Sequence, residues 1–265
     1  MYEDLKYRSV AGEDLLARLY KPGGSADVLV VEVHGGAWTM NDRTTNTAIH
    51  EHLAQNGIAV FALDFRLAPK HRYPAAIEDV NYGIRWAKAN LKPRKIGGLG
   101  TSSGGHQIVL SALQPEKFSG SELKGYDARL DFVVALWPIL DPFARYQYAK
   151  GANLKNLVDA HDAFWPGEAA MKEGNPQLVV ERNEASARPP ILAIQGTNDT
   201  NVEHFRADRF ADAYRARGGS IDLVKVEGQP HAFIAKDPAA PAARDALARV
   251  AAFVQSQSRK ERAHG

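Results

Sequence analysis

The stretch KIGGLGTSSGG (residues 95–105) joins a short apolar run to a pair of serines flanked by glycines. We interpret residues 95–99 as a buried strand and residues 104–113 as a helix, with a very sharp turn between them. Five residues of that turn, GTSSG, fit the pattern G-x-S-x-G with Ser102 at the centre. Side chains at the glycine positions would collide with the adjoining strand and helix, and the serine would be strained with its hydroxyl exposed. The stretch predicts the strand–turn–helix unit of a parallel α/β sheet.

Strand and helix patterns alternate along the rest of the chain. Besides residues 95–99, the predicted strands cover residues 28–33, 58–63, 132–138, 190–195 and 221–226, and the predicted helices cover 42–56, 74–90, 104–113, 203–217 and 239–254. Two alternating runs, 6–10 and 15–20, come first and predict an antiparallel start. This alternation implies βαβ crossovers and therefore the α/β class, with a mostly parallel sheet covered by helices on both faces.

The segment 141–188 interrupts the alternation. It is rich in aromatic side chains, among them Phe143, Phe164 and Trp165, and long connections of this kind are often functional. We predict that it forms a short helical lid over one end of the sheet. We expect one domain over residues 1–258, lid included, and a disordered tail over residues 259–265.

Composition excludes several classes of function. The 265 residues carry a net charge of +2 and no cysteine, so we expect neither nucleic-acid binding nor disulfide or thiolate chemistry. The stretch HEH (residues 50–52) lacks the i, i+4 spacing of a helical metal site, and we expect no metal and no cofactor. The first residues contain no apolar signal segment, and the longest apolar runs of the chain are far short of a membrane span, so we expect a cytoplasmic protein without membrane partners. The oligomeric state, a homodimer included, stays open.

The two serines of the turn have different expected roles. Only Ser102 has glycine two residues away on both sides, whereas Ser103 would have Thr101 at the crowded position. We therefore take Ser102 as the candidate nucleophile. The backbone N–H of Ser103 lies at the start of the helix, where it can stabilise an oxyanion. A plain Gly/Ser turn is the alternative, since G-x-S-x-G alone is a common pattern.

A nucleophilic serine needs an oxyanion hole, and VEVHGGAW (residues 31–38) ends a predicted strand with two glycines. Gly35 and Gly36 let backbone N–H groups approach a substrate carbonyl. We expect His34 to be a structural hydrogen-bonding residue, because it precedes the nucleophile in the chain.

The base and its acid follow the nucleophile. His231, in VEGQPHAF (residues 226–233), stands in the loop after the last predicted strand and is the best placed of nine histidines. His106 follows Ser102 on the same helix, but the helical geometry directs it away from the hydroxyl. Asp199, in LAIQGTNDTNV (residues 192–202), is the favoured acid, and an Asx turn is its structural alternative. Asp141 is the rival carboxylate; a structural role is expected for it because Pro142 and the lid follow.

In this order, the motifs resemble α/β-hydrolases of the hormone-sensitive-lipase-like carboxylesterase family. The resemblance rests on HGGAW, DFRLAPKHRYPAAIEDV (residues 64–80), GTSSGG, GTNDTNV and HAF. It implies that Ser102 is the nucleophile, His231 the general base and Asp199 the orienting acid, with an oxyanion hole made of the three sites Gly35, Gly36 and Ser103.

The same resemblance gives Glu78 and Asp79 an anchoring role behind the nucleophile.

The chain departs from the family pattern in three places. Ala37 replaces a third glycine, Ser103 stands where alanine is usual, and the N-terminal cap of larger members is missing.

The implied function is hydrolysis of small carboxylic esters with short to medium acyl chains, through an acyl-enzyme. An amidase, aryl-formamidase or lactonase using the same triad is the alternative, and a non-catalytic ligand receptor is a further one. Four aromatic residues either line the substrate pocket or pack against the core: Trp38, Phe143, Phe164 and Trp165.

Overall fold

The structure is a computed structural model and describes residues 1–259. Its strands are β1 (Tyr2–Val10), β2 (Glu13–Tyr20), β3 (Val28–Val33), β4 (Ala59–Leu63), β5 (Lys95–Thr101), β6 (Phe132–Leu136), β7 (Ile191–Gly196) and β8 (Ile221–Val226). They form one sheet in the order β1-β2-β4-β3-β5-β6-β7-β8. The pairs β1–β2 and β2–β4 are antiparallel and all later pairs are parallel. The predicted mostly parallel sheet with an antiparallel start is confirmed.

Helices cover both faces of this sheet. They are α1 (Thr47–Gln55), α2 (Ala75–Asn90), α3 (Ser103–Leu113), α4 (Pro142–Gly151), α5 (Lys155–Phe164), α6 (Glu168–Glu173), α7 (Pro176–Glu181), α8 (Phe205–Ala216), α9 (Phe233–Lys236) and α10 (Pro241–Arg259). Apolar stripes of α2, α3 and α8 pack into one buried cluster, and those of α1 and α10 into a second. Because apolar layers lie on both sides, the central strand VLVVEV is buried at every position.

Element boundaries differ from the predictions where local hydrogen bonds intervene. The helix predicted from residue 42 begins at Thr47, because the Asp42 carboxylate accepts a bond from the N–H of Thr44 (2.8 Å) and forms a separate turn. The last helix runs to Arg259, a residue expected in the disordered tail. The remainder of that predicted tail, residues 260–265, lies outside the described residues.

The connection order creates a crevice in the middle of the sheet. After β3 the chain moves to β4 on one side and then crosses to β5 on the other side of β3. In open α/β sheets, such a reversal leaves a crevice at the carboxyl ends of the strands. Val33 at the end of β3 pairs with Gly100 near the end of β5. The loops that follow these two strands therefore lie side by side.

The segment between β6 and β7 contains α4 to α7 and is fastened over this crevice. The carbonyl of Phe164 accepts a hydrogen bond from the N–H of Tyr73 at 2.8 Å. The carbonyl of Gly174 accepts one from Nε2 of His106, also at 2.8 Å. These bonds attach the insert to α3 and to the chain just before α2, so the insert covers the carboxyl ends of the strands.

Candidate active site

Ser102 occupies a strained turn between β5 and α3. Its φ is 52° and its ψ is −115°, a conformation that L side chains rarely adopt. A Cβ on Gly100 would lie 2.4 Å from the carbonyl oxygen of Gly104, and a Cβ on Gly104 would lie 2.0 Å from that of Val33. Only glycine fits at either position, as the sequence pattern predicted.

His231 joins Ser102 to Asp199. Its Nε2 lies 3.0 Å from Oγ of Ser102, and its Nδ1 lies 2.8 Å from Oδ2 of Asp199. An ionised carboxylate can only accept, so Nδ1 carries the hydrogen and Nε2 is the acceptor for the serine hydroxyl. The three side chains, which come from loops after β5, β7 and β8, form one continuous hydrogen-bonded chain.

Asp199 is held in place by four donors. Oδ1 accepts from the backbone N–H groups of Asn201 and Val202, each at 2.8 Å. Oδ2 accepts from Nε2 of Gln195 at 2.9 Å as well as from His231. Burial raises the pKa of this carboxyl, but the hydrogen bond and charge of His231 and the other donors outweigh it, and the net pKa is lowered. The carboxylate is ionised and its orientation is fixed.

The rival carboxylate, Asp141, caps α4. Its Oδ1 accepts from the N–H of Ala144 at 3.0 Å and from Nδ2 of Asn175 at 2.8 Å. A side chain that bonds to the first turn of a helix is a typical N-cap. Within residues 1–259 it accepts no hydrogen bond from a histidine, which agrees with the structural role expected for it.

Gly35, Gly36 and Ser102 line one cavity. Gly36 has a φ of 118°, and a Cβ there would lie 2.3 Å from the carbonyl oxygen of Met40. Ala37, in the position of the third glycine, adopts a left-handed φ of 50°. Ser103 is the first residue of α3, where a backbone N–H has no partner within the helix. Its Oγ accepts a hydrogen bond from the N–H of Trp38 at 3.3 Å. This bond connects the loop that contains Gly35 and Gly36 (the glycine loop) to the turn at Ser102 (the serine turn).

His34 and His106 are buried away from the serine hydroxyl. Nδ1 of His34 donates to the carbonyl of Gly35 (2.7 Å), and its ring stacks on Phe65 at 4.3 Å. Nδ1 of His106 accepts from Nε1 of Trp38 at 3.2 Å. Burial lowers the pKa of His34 and lowers the pKa of His106 to about 4. Both rings are neutral structural groups, as expected for His34.

The structure corrects the pocket expectation for four aromatic residues. Trp38, Phe164 and Trp165 are fully buried and pack on one another, with Trp38 and Phe164 stacked at 5.0 Å. Phe143 is half-buried under the side chain of Lys172. None of the four lines the cavity around Ser102 within residues 1–259. Large aromatic side chains bury much apolar surface when they pack closely, and this burial stabilises the fold. Here they attach the insert to the core instead of contacting a substrate.

The cavity has a volume of about 680 Å³ and is bounded by the glycine loop, the serine turn and the insert. Its lining contains polar side chains that sequence reasoning missed: Asn41, Asn46, Arg145, Asn156 and Asn201. The volume falls within the range of small-molecule sites. A polar residue one turn into a helix looks like a surface residue in the sequence, so no local signal marked Arg145.

A buried polar network below the serine turn was also missed. Nδ2 of Asn46 donates to Oε1 of Glu32 at 2.8 Å and to Oγ1 of Thr101 at 3.1 Å. Nε2 of His50 lies 2.9 Å from Oε2 of Glu32. Because Thr101 precedes Ser102, this network braces the turn from below. The signal was present in the sequence: Glu32 interrupts an otherwise apolar strand.

The anchoring role expected for Glu78 and Asp79 involves two arginines. Asp79 is fully buried and accepts from the N–H and the Nε of Arg66, both at 2.9 Å, and from Arg8. Glu78 accepts from Nη2 of Arg66 at 3.1 Å.

Within residues 1–259, no group of three or more histidine or acidic side chains is arranged to hold a metal ion. Helices in the same range are all too short or too polar to cross a membrane.

Comparisons with known proteins agree with this fold. The chain resembles an esterase from Pyrobaculum calidifontis (TM-score 0.79, 23% identity, 97% of this chain and 85% of that one). It also resembles the propionate-bound esterase Est2 from Thermogutta terrifontis (TM-score 0.78, 21% identity, 96% and 93%). At such identities the likeness shows the fold, which is that of the α/β-hydrolases.

Sequence comparisons identify relatives and a family in addition to the fold. The chain is 29% identical over 239 residues to esterase LipC of Mycobacterium tuberculosis, covering 83% of this chain and 56% of that one. It spans 50% to 64% of the length of the first curated relatives that it matches. The BD-FAE family model matches residues 18–214, which include the glycine loop, Ser102 and Asp199. The chain therefore belongs to the BD-FAE family, within the hormone-sensitive-lipase-like α/β-hydrolases that its motifs resemble.

Proposed function

We propose that this protein hydrolyses small carboxylic esters by a two-step acyl transfer at Ser102. The observation that carries the proposal is the hydrogen-bonded chain from Ser102 through His231 to Asp199, with steps of 3.0 and 2.8 Å. A serine hydroxyl is a weak nucleophile until an adjacent base accepts its proton. Here Nε2 of His231 faces the hydroxyl, and an ionised carboxylate on Nδ1 is placed to stabilise the imidazolium that forms.

In the first step Oγ of Ser102 attacks the ester carbonyl carbon while its proton moves to Nε2 of His231. The carbonyl oxygen becomes an oxyanion, which accepts hydrogen bonds from the backbone N–H groups of Gly35, Gly36 and Ser103. The bond to the leaving oxygen then breaks, and His231 returns the proton to that oxygen, releasing the alcohol. Losing one such oxyanion donor typically costs about 3 kcal/mol of transition-state stabilisation.

In the second step water attacks the acyl-enzyme and gives its proton to His231. Collapse of the second oxyanion breaks the bond to Ser102, whose Oγ recovers the proton, and the carboxylic acid leaves. Asp199 stays ionised throughout and keeps Nδ1 of His231 protonated. The insert over the cavity acts as a lid that limits access of bulk water to the acyl-enzyme.

Relatives and neighbours support the choice of ester over other acyl compounds. LipC is named an esterase, and both solved structures described above are those of esterases. Short to medium acyl chains are proposed because the cavity, bounded by the glycine loop and the insert, has a volume of about 680 Å³, the size of a small-molecule site. The Thermogutta terrifontis enzyme, a protein of the same fold, carries propionate in its structure.

The test is hydrolysis of p-nitrophenyl esters with acyl chains from acetyl to dodecanoyl. Wild type should turn over the shorter esters, and Ser102→Ala should lower kcat by about 10⁴-fold or more while it retains the wild-type melting temperature. Equal activity in Ser102→Ala would contradict the nucleophile assignment. Turnover of p-nitroanilides with no ester turnover would identify an amidase, and tight binding without turnover a receptor.

A further inference from the structure

Arg145 is a buried cation in the wall of the candidate active site. It lies in the first half of α4, the first helix of the insert, and its residue surface is 1% exposed. It lines the same cavity as Ser102 and His231. Fully buried arginines are rare unless a carboxylate pairs with them.

Among residues 1–259, the guanidinium hydrogen-bonds to a single partner residue. Nε donates to the carbonyl oxygen of Asn201 at 2.9 Å, and Nη2 donates to Oδ1 of the same residue. Nη1 is buried and has no hydrogen-bond partner anywhere in the described chain. Both acceptors are neutral, so the positive charge has no direct compensation by hydrogen bonding.

Nearby carboxylates do not form hydrogen bonds with Arg145. Asp199 is close enough to favour the charged form of Arg145, but its two oxygens already accept from four other donors. Asp159 also lines the cavity, but it bonds to exposed Lys155 at 2.5 Å. Across residues 1–259, Arg145 takes part in no ion pair.

The charge nevertheless persists at neutral pH. Burial lowers the pKa of Arg145 to about 10, and this value still leaves the guanidinium protonated. A buried, charged donor without an anionic acceptor is costly, and such a group in a ligand cavity is expected to meet its partner on the ligand. Guanidinium groups match carboxylates in geometry as well as in charge.

We propose that Arg145 is a substrate-binding residue that recognises a carboxylate carried by the ester in addition to its scissile bond. The inference rests on the proposed esterase activity and names its substrate class: a half-ester of a dicarboxylic acid, or an ester of a hydroxycarboxylic acid. In the first case the carboxylate is on the acyl side, and in the second it is on the alcohol side.

Two substrate pairs distinguish these sources. The acyl pair is monoethyl adipate, which carries a carboxylate, and the matching ethyl adipamate, in which a neutral amide replaces it. The alcohol pair is 4-acetoxybenzoate and 4-acetoxybenzamide. Within each pair the size and shape are nearly equal, so the ratio of kcat/KM values reports the contribution of charge. Wild type should prefer the carboxylate member of one pair by about tenfold to a hundredfold, mainly through a lower KM.

Three variants test whether Arg145 causes the preference for the carboxylate substrate. Arg145→Met keeps much of the side-chain volume and should reduce the preference to about onefold, whereas Arg145→Lys should keep part of it. Lys150→Met is the matched control, since it removes an exposed cation of the same helix that does not line the cavity, and it should keep the full preference. A purely structural role would lower the kcat/KM of both members equally and leave their ratio unchanged.

A binding measurement separates failure of this inference from failure of the proposed function. For the side of the ester that shows the preference, the carboxylate (4-hydroxybenzoate or adipamate) should raise the melting temperature of wild type more than its amide (4-hydroxybenzamide or adipamide) does, and Arg145→Met should lose the difference. Ester turnover without carboxylate preference, or a preference that survives in Arg145→Met, would overturn the inference and leave the esterase proposal intact. Arg145-dependent carboxylate binding without any ester turnover would overturn the esterase proposal and leave a carboxylate site.

Discussion

Asp199 and His231 are joined by a hydrogen bond of 2.8 Å between Oδ2 and Nδ1, although they come from loops after different strands. The competing carboxylate, Asp141, accepts its hydrogen bonds from the start of α4 and from Asn175. This difference in partners decides which of the two acids can orient the histidine.

The isosteric pair Asp199→Asn and Asp141→Asn tests that conclusion. Asparagine at position 199 can donate to His231 and favour the wrong tautomer, so we expect kcat to fall by about 10⁴-fold. Asparagine at position 141 still caps a helix, and kcat should stay within about threefold of wild type. Steady-state ester hydrolysis gives both numbers, and a larger loss in Asp141→Asn would reverse the assignment of the acid.

Ser103 should contribute through its backbone more than through its hydroxyl. Ser103→Ala keeps the backbone N–H at the start of α3 and removes only the acceptor for the N–H of Trp38, a bond of 3.3 Å. A net hydrogen-bond loss of about 1 kcal/mol corresponds to a kcat decrease of about fivefold. The measurement is the kcat of Ser103→Ala on a p-nitrophenyl ester, compared with the kcat of wild type and of Ser102→Ala. A loss in Ser103→Ala as large as that of Ser102→Ala would show that the hydroxyl of Ser103 takes part in the chemistry.

Gly104 should tolerate no side chain. In Gly104→Ala the new Cβ would lie 2.0 Å from the carbonyl oxygen of Val33, and backbone must move to relieve the clash. We expect the free energy of unfolding to fall by about 3 kcal/mol or more, with loss of activity. Gly151→Ala is the control, because its Cβ meets nothing within 4 Å at the end of α4 and should leave stability equal or slightly higher. Urea denaturation of both variants measures the difference, and equal stabilities would refute the steric argument.

His106 should make the fold sensitive to mild acid. Its pKa is about 4 when folded and about 6.5 when unfolded, so between these values the unfolded chain binds a proton that the native chain does not. Stability is therefore full above pH 6.5 and falls as the pH drops towards 4, by about 3 kcal/mol at most from this residue. His161, whose pKa burial lowers to about 3, acts in the same direction.

The variant His106→Gln checks this contribution. A glutamine amide can accept from Nε1 of Trp38 and donate to the carbonyl of Gly174, yet it does not titrate. Urea denaturation at pH 7, 6, 5 and 4.5 should show a shallower decline of unfolding free energy for the variant than for wild type. Parallel declines would mean that His106 is not a source of the acid sensitivity.

Much of the site was predictable because its constraints are local. The glycines beside Ser102 mark a turn that excludes side chains whatever surrounds it. The positions of Ser102, Asp199 and His231 after strands follow from the alternation of strand and helix patterns, since parallel strands bring their carboxyl ends to one edge. The chain order of the motifs therefore predicted which side chains converge.

Other features depend on partners that are distant in sequence. The ring of Trp38 packs against Phe164 and Trp165 of the insert, so whether it meets substrate or core depends on how the insert folds back. A local competitor produced another difference: the helix predicted from residue 42 begins only at Thr47, because Asp42 forms a separate turn with Thr44.

The sequence by itself determined the fold class, the sharp serine turn and the order of the site residues, because periodicity and glycine sterics act over a few residues. Only the tertiary structure decided between Asp199 and Asp141 as the partner of His231, packed the aromatic residues away from the cavity, and buried Arg145 there without a hydrogen-bonded anion. Burial and charge compensation are sums over neighbours from the whole chain, and no short stretch of sequence contains them.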